Sequence, residues 1–344
     1  MESLEPWAEI AYVEVNARLK PMVEHESQSP ARSESVVVLT EPVADQPRAW
    51  IGERFRVIDA SPDDPGLPLA LAAAEGLIVR TYTRVDDRLL GQAPRLKVVG
   101  RAGVGLDNID LDACAQRGVR VVHTPEANTQ AVVEYVIGIM TDATRTRPEV
   151  RSRTDIERWA DFRRLDDARP QLDELTLGIL GLGRIGRRVA EVARVIGMRV
   201  IYHDLLDIPP DRRHDAKPLP PGVLFERADV ISLHVDGRPS NRGYVGESLI
   251  GRMKPSVVFI NTARGFVVDR EALTRFLQTN APAQAHLDVH EPEPPHVDDP
   301  LLTMSNAHLY PHLGAKTTTA WNTMSWVVRD VAAVLAGETP RWEA

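Results

Sequence analysis

The sequence predicts an α/β protein made of two doubly wound, parallel-sheet domains, one inserted into the other. Two series of short β-branched apolar runs alternate with helix-like stretches. A glycine-rich turn lies at residues 181–186, with more than a domain's worth of α/β pattern before it. The 344 residues also exceed a typical domain of roughly 100–200.

The first series comprises VVVLT (36–40), FRVIDA (55–60), LIVR (77–80), LKVVG (96–100) and VRVVH (119–123). Runs this short, β-branched and bounded by polar residues read as parallel strands covered on both faces. Their alternation with helical stretches predicts βα units and a flavodoxin-like order. AVVEYVIGIM (131–140) is apolar almost all round, which suits a helix buried on several sides. The second series is LGILG (177–181), RVIYH (199–203), DVISLH (229–234), VVFIN (257–261), AHLDV (285–289) and HLY (308–310). Six strands is the count of a full dinucleotide-binding sheet. Residues 146–175, rich in Arg and Asp, read as an irregular crossover, and 316–336 as one terminal helix. Residues 1–35 form an extension ending in a Ser- and Pro-containing linker, either a tail or an element packed on its own domain or a partner. The expected boundaries are 36–128 with 314–344 for one domain and 129–313 for the inserted one.

Composition narrows the function classes. Apolar residues make up 43% and charged residues 26%, as in ordinary soluble domains. The net charge is −8 and the cations are scattered, which argues against nucleic acid as a partner. No run approaches the ~18–20 apolar residues of a membrane span. The N-terminal stretch lacks the basic and apolar regions of a secretory leader. The lone Cys114 forms no internal disulfide, reads as a small core residue, and fits a reducing cytoplasm. No metal site is expected.

Gly181-Leu182-Gly183-Arg184-Ile185-Gly186 follows the strand TLGIL directly. Behind it, Ile185, Val189, Val192, Ala193 and Ile196 mark one helix face, and Gly197 can end that helix. The first glycine permits the tight turn, the second close approach to a pyrophosphate, and the third close helix–strand packing. The helix start, at Arg184 and Ile185, then offers free N–H groups to the phosphates. Asp204 ends the next strand, 18 residues beyond Gly186, where a carboxylate accepts from ribose hydroxyls. Leu205 and Leu206 follow it, so no Arg awaits a 2′-phosphate, and NAD is favoured over NADP.

GRAGVGLDNID (100–110), GLGRIG (181–186), NTARG (261–265), LDVHEPEP (287–294) and PHLGA (311–315) occur in one order over most of the chain after residue 75. In these motifs the sequence resembles the D-2-hydroxyacid dehydrogenase family, specifically its phosphoglycerate dehydrogenase-like members without a regulatory domain. The resemblance implies a Rossmann NAD domain inserted into a flavodoxin-like substrate domain, hydride exchange between a D-2-hydroxy acid and its 2-keto acid, and a homodimer. Arg264 becomes the carboxylate clamp, for which a planar guanidinium is suited. His312 becomes the acid/base and Glu293 its carboxylate partner. Asp288 would hold the nicotinamide carboxamide, with His234, Val235, Thr262, Ala263 and Gly314 lining the same crevice. Val104 and Gly105 would offer backbone N–H groups to the substrate, and Arg80 would face it. Asn108 and Asp110 would brace that loop.

Three departures from the family pattern bear on the substrate: Phe266 after Gly265, the loop 235–246, and Trp321 with Trp326 after PHLGA. The two tryptophans are expected to serve packing, with Trp321 within reach of the active-site mouth. The rival reading is an NAD-regulated binding protein similar to the family's transcriptional corepressors.

Overall fold

The computed structural model describes residues 33–145, 147, 149–164 and 170–344. Most of the expected extension, residues 1–32, lies outside the described residues, as do 165–169 of the crossover. The first sheet contains β1 (Val36–Leu39), β2 (Arg56–Asp59), β3 (Ala74–Val79), β4 (Val98–Arg101) and β5 (Arg120–His123). All pair parallel in the order β2-β1-β3-β4-β5. That is the flavodoxin-like order, in which the crossover direction reverses beside β1 and leaves a crevice at the carboxyl ends of β1 and β3.

The second sheet contains β6 (Thr176–Leu180), β7 (Arg199–His203), β8 (Lys217–Pro218), β9 (Val230–Leu233), β10 (Val258–Asn261), β11 (Gln284–Leu287) and β12 (Ala307–Leu309). Their order is β12-β11-β10-β9-β6-β7-β8, again all parallel, with the switch between β6 and β9. There are seven strands where the apolar pattern predicts six. The extra one, β8, pairs only Lys217 with Ile201 and Tyr202 with Pro218. Two residues carry no hydrophobic period, and Pro218 is tolerated because it lies on an edge.

The stretch read as one terminal helix is two, Thr318–Ser325 and Val327–Leu335, divided at Trp326. Ser325 Oγ donates to the Trp321 carbonyl at 2.8 Å and accepts the Ala44 N–H at 3.0 Å. A hydroxyl that bonds back to the preceding turn weakens a helix locally. Trp326 packs edge-on against Trp50, with centroids 6.1 Å apart. The last helix buries Val327, Val328, Val331 and Val334 against Val37, Ile78, Val98 and Val122 of the first sheet. Gly100 makes this approach possible, since a Cβ there would meet Val331 Cγ2 at 2.4 Å. The long helix Thr129–Thr144 buries Val133, Val136 and Met140 in the core of the second sheet. Within the crossover, Arg153–Glu157 and Trp159–Phe162 form short helices with no buried residue.

Candidate active site

The glycine turn is shaped by contact on one side and left open on the other. Gly181 has φ +94°, and a Cβ there would lie 2.8 Å from the His234 carbonyl carbon. At Gly186 a Cβ would lie 2.1 Å from the Gly181 carbonyl oxygen, so only glycine lets the helix Arg184–Val195 seat against the turn. Gly183 faces free space, leaving its backbone open to a ligand. Asp204 leans onto this turn: its carboxylate accepts the Leu182 N–H at 2.6 Å and the Leu206 N–H at 2.9 Å. A hollow lined by Tyr202, His203, Leu219 and Pro220 opens beside it.

Across the crevice, Thr262 Oγ1 is buried without a hydrogen-bond partner. An orphaned hydroxyl at a strand end is suited to a polar ligand. His234 is partly buried, and desolvation drives its pKa down to about 3, which favours the neutral imidazole. Its Nε2 is 2.9 Å from Ser232 Oγ. The turn, Asp204 and the orphaned hydroxyl fit a dinucleotide stretched across the carboxyl ends of the strands.

The expected catalytic trio sits at the ends of β10, β11 and β12. Asn261 shapes the turn that carries Arg264, accepting the Ala263 N–H at 3.0 Å and donating to the Arg264 carbonyl at 3.0 Å. Gly265 packs directly on the His290 backbone, where a Cβ would approach to 2.1 Å. Glu293 Oε2 lies 3.0 Å from His312 Nδ1, and Oε1 accepts the His290 N–H at 2.8 Å. Burial alone would raise the Glu293 pKa, but the His312 and His290 bonds outweigh it and hold the carboxyl below its ordinary value. The Nδ1 bond leaves Nε2 of His312 for a ligand. His312 has φ +56°, a left-handed conformation rare for side-chain-bearing residues but less so for His.

Asp288 braces that conformation. It accepts Leu313 N–H at 2.7 Å, Gly314 N–H at 2.8 Å and the Tyr135 hydroxyl at 3.1 Å, and is 2% exposed. It therefore sits behind the His312 loop, its carboxylate accepting from the protein's own N–H and O–H groups.

The first sheet supplies the facing wall. Arg264 Nε donates to Asp107 Oδ2 at 2.7 Å, and Nη2 lies 2.6 Å from the same oxygen. Gly105 lies directly under the guanidinium, and a Cβ there would be 1.8 Å from Nη2. His123 Nδ1 lies 3.0 Å from the Val104 carbonyl and steadies the loop. Asn108 donates to the Arg80 and Thr83 carbonyls, and Asp110 caps the helix Leu111–Gln116. Arg101 stands close to both Arg264 and Arg80. Burial, then the neighbouring Arg264 and Arg80 cations, push the Arg101 pKa down to about 10. Arg80 Nη1 and Arg101 Nε are both buried without a hydrogen-bond partner.

Arg101, Asp107 and Glu41 escape the sequence reading. Arg101 and Asp107 lie inside the GRAGVGLDNID motif but look like ordinary loop charges there. Glu41 accepts the backbone N–H groups of Arg80, Thr81, Tyr82 and Thr83 at 2.9–3.2 Å, a contact spanning about forty residues that no local pattern reveals. The departures at Phe266 and 235–246 form one structure. Gly243 N–H donates to the Phe266 carbonyl at 2.8 Å, while Arg242 stacks on Phe266 at 4.9 Å and pairs with Glu291 at 2.6 and 2.9 Å.

These features define a two-domain dinucleotide-binding protein with an Arg-lined crevice and a Glu–His pair. The model of the D-isomer specific 2-hydroxyacid dehydrogenase NAD binding domain matches residues 137–314. The D-3-phosphoglycerate dehydrogenase of Methanocaldococcus jannaschii is 38% identical over 274 residues, covering 77% of this chain and 50% of that protein. A glyoxylate reductase from Paecilomyes thermophila superposes with TM-score 0.78 at 27% identity, over 90% of this chain and 98% of that one. A D-lactate dehydrogenase from Aquifex aeolicus, solved with NAD and lactic acid, gives TM-score 0.75 at 27% identity, over 88% and 96%. The chain belongs to the D-isomer specific 2-hydroxyacid dehydrogenase family and carries its NAD-binding domain. It spans about half the length of the phosphoglycerate dehydrogenase it matches.

Proposed function

We propose that this chain interconverts a D-2-hydroxy acid and its 2-keto acid with NAD. The observation that carries the reading is the Glu293–His312 pair at 3.0 Å, in a family member whose glycine turn and Asp204 suit the dinucleotide. NAD, when bound, accepts or delivers the hydride. His312 Nε2 gives a proton to the C2 oxygen during reduction and removes it during oxidation. Glu293 orients the imidazole and offsets its positive charge. Arg264 holds the substrate carboxylate beside the Val104 and Gly105 backbone, with Asp107 steadying its guanidinium.

The substrate we infer carries a second anion, as phosphoglycerate or phosphohydroxypyruvate does. Arg80 and Arg101 support this, since each buries an N–H group that lacks a partner beside a third cation. Hydroxypyruvate and glyoxylate lack that second group and fit less well. The exposed Ile156 and Trp159, 63% and 55% accessible, support a homodimer through the crossover segment. Among the described residues no helix is long and apolar enough to cross a membrane, and we place the enzyme in the cytoplasm.

NADH absorbance on a panel of keto acids tests the reading. We expect turnover with at least one, and His312→Gln should lower it by about 10²–10⁴ while leaving NADH affinity intact. Tight NADH binding without turnover of any acid would favour the corepressor-like alternative.

A further inference from the structure

Trp321 has no packing role to match that of Trp326. Its helix, Thr318–Ser325, buries Ala320, Met324 and Ser325, while Trp321 stays 36% exposed. Its ring lies instead under the guanidinium of Arg80, 4.0 Å from the Arg80 Cζ. Arg80 gets little from elsewhere. The Glu41 carboxylate beside it is taken up by the backbone N–H groups of residues 80–83. Arg80 Nη1 is buried without a hydrogen-bond partner, and Arg101 adds a second cation nearby.

An indole face is the strongest aromatic partner for a guanidinium, and stacking fixes the plane of the cation. Stacking also leaves the in-plane N–H edge free, which is the edge that binds phosphate or carboxylate oxygens in pairs. Glu41 holds the backbone of Arg80 and Trp321 holds its plane. The segment after β1 that carries Glu41 and the helix that carries Trp321 are tied together where Ser325 accepts the Ala44 N–H at 3.0 Å.

We propose that Trp321 is a specificity-determining positioning residue: by covering one face of Arg80 it presents the guanidinium edge-on to a distal anionic group of the substrate. This rests on the dehydrogenase reading above. Trp321 acts through Arg80 and exchanges no proton with the substrate.

The test compares 3-phosphohydroxypyruvate with hydroxypyruvate, which differ only in the phosphate, with NADH as reductant. Trp321→Gln should reduce the preference in kcat/KM for the phosphorylated acid by about tenfold, through KM. Trp321→Phe, which keeps a ring face, should stay within about threefold of the parent. Arg80→Ala should remove the preference, and adding Trp321→Gln to it should change nothing further, as expected for residues acting as one unit. An unchanged preference in Trp321→Gln, or an undiminished effect of that substitution in the Arg80→Ala background, overturns the proposal.

Calorimetric binding of 3-phosphoglycerate and D-glycerate to the NADH complex, where no hydride can be transferred, separates this result from failure of the catalytic reading. A Trp321-dependent preference for 3-phosphoglycerate without turnover sinks the dehydrogenase reading and keeps the Trp321 assignment. Equal binding of the two acids by the parent protein sinks the assignment whether or not the protein turns over.

Discussion

Replacing Gly105 with Ala puts a methyl group where the catalytic geometry has no room. The new Cβ would lie 1.8 Å from Arg264 Nη2 and 2.7 Å from Asp107 Oδ2. Non-bonded atoms settle at about 3.5–4 Å, so Nη2 must retreat by well over ~1 Å. The obstructing atoms are the ends of two side chains, and neither is backbone, so the fold accommodates the change. The clamp does not, because a displacement of about 1 Å at a substrate-positioning group costs on the order of 10²-fold in rate. That amounts to about 2.7 kcal/mol of transition-state stabilisation, within the range for losing one or two charge-assisted hydrogen bonds. We therefore expect Gly105→Ala to lower kcat/KM on the best keto acid by about 10², measured by NADH absorbance. NADH affinity, read by fluorescence, and the thermal midpoint should stay close to the parent, since the dinucleotide crevice lies on the other sheet. A variant within about threefold of parental kcat/KM would refute the assignment of Arg264 as the clamp held over Gly105.

Two further outcomes follow from the geometry. Asp204→Ser should weaken NAD binding by roughly 10- to 100-fold and narrow the preference over NADP, because it removes both the ribose acceptor and the charge opposing a 2′-phosphate; isothermal titration with each cofactor checks this. Glu41→Gln should destabilise the fold by about 1–3 kcal/mol for each backbone donor it orphans, seen as a lower thermal midpoint. Burial raises the Glu41 pKa, but the N–H groups of Thr83, Arg80, Tyr82 and Thr81 outweigh it and leave it below the usual carboxylate range. With the folded value lowered, its contribution is present above the unfolded value near 4.5 and fades as pH falls through the folded one. The parent should accordingly lose this stability on acidification below about pH 4.5, whereas the Gln variant should lack that slope in denaturant titrations.

Both sheets are legible in the sequence because each depends on local pattern, whereas Arg264, Glu293 and His312 are singled out only by the family resemblance of the motifs around them. Parallel strands covered on both faces read as near-continuous apolar runs, and β1, β3, β9 and β10 are buried along their whole length, each with at most one polar residue. The glycine turn shows itself because backbone constraints at Gly181 and Gly186 arise from neighbours a few residues away or on the adjacent strand end. The edge strand β8 and the break at Trp326 stay hidden, since two residues have no period and the helix divides where a single Ser325 hydroxyl bonds back to the Trp321 carbonyl while accepting from Ala44.

The crevice beyond the trio was decided by tertiary structure alone. Trp321 and Trp326 are alike as letters, yet one stacks on Arg80 and the other on Trp50 and Arg329. Asp107 meets Arg264 across 157 positions, and Glu41 meets the Arg80 loop across about forty. The sequence by itself determined the dinucleotide turn and the strand alternation, because short-range sterics and hydrophobic period govern them. Which charge faces which, and therefore how Arg80, Arg101 and Arg264 are held, depended on bringing two sheets together. Electrostatic partners are chosen by distance through space, and separation along the chain does not encode it.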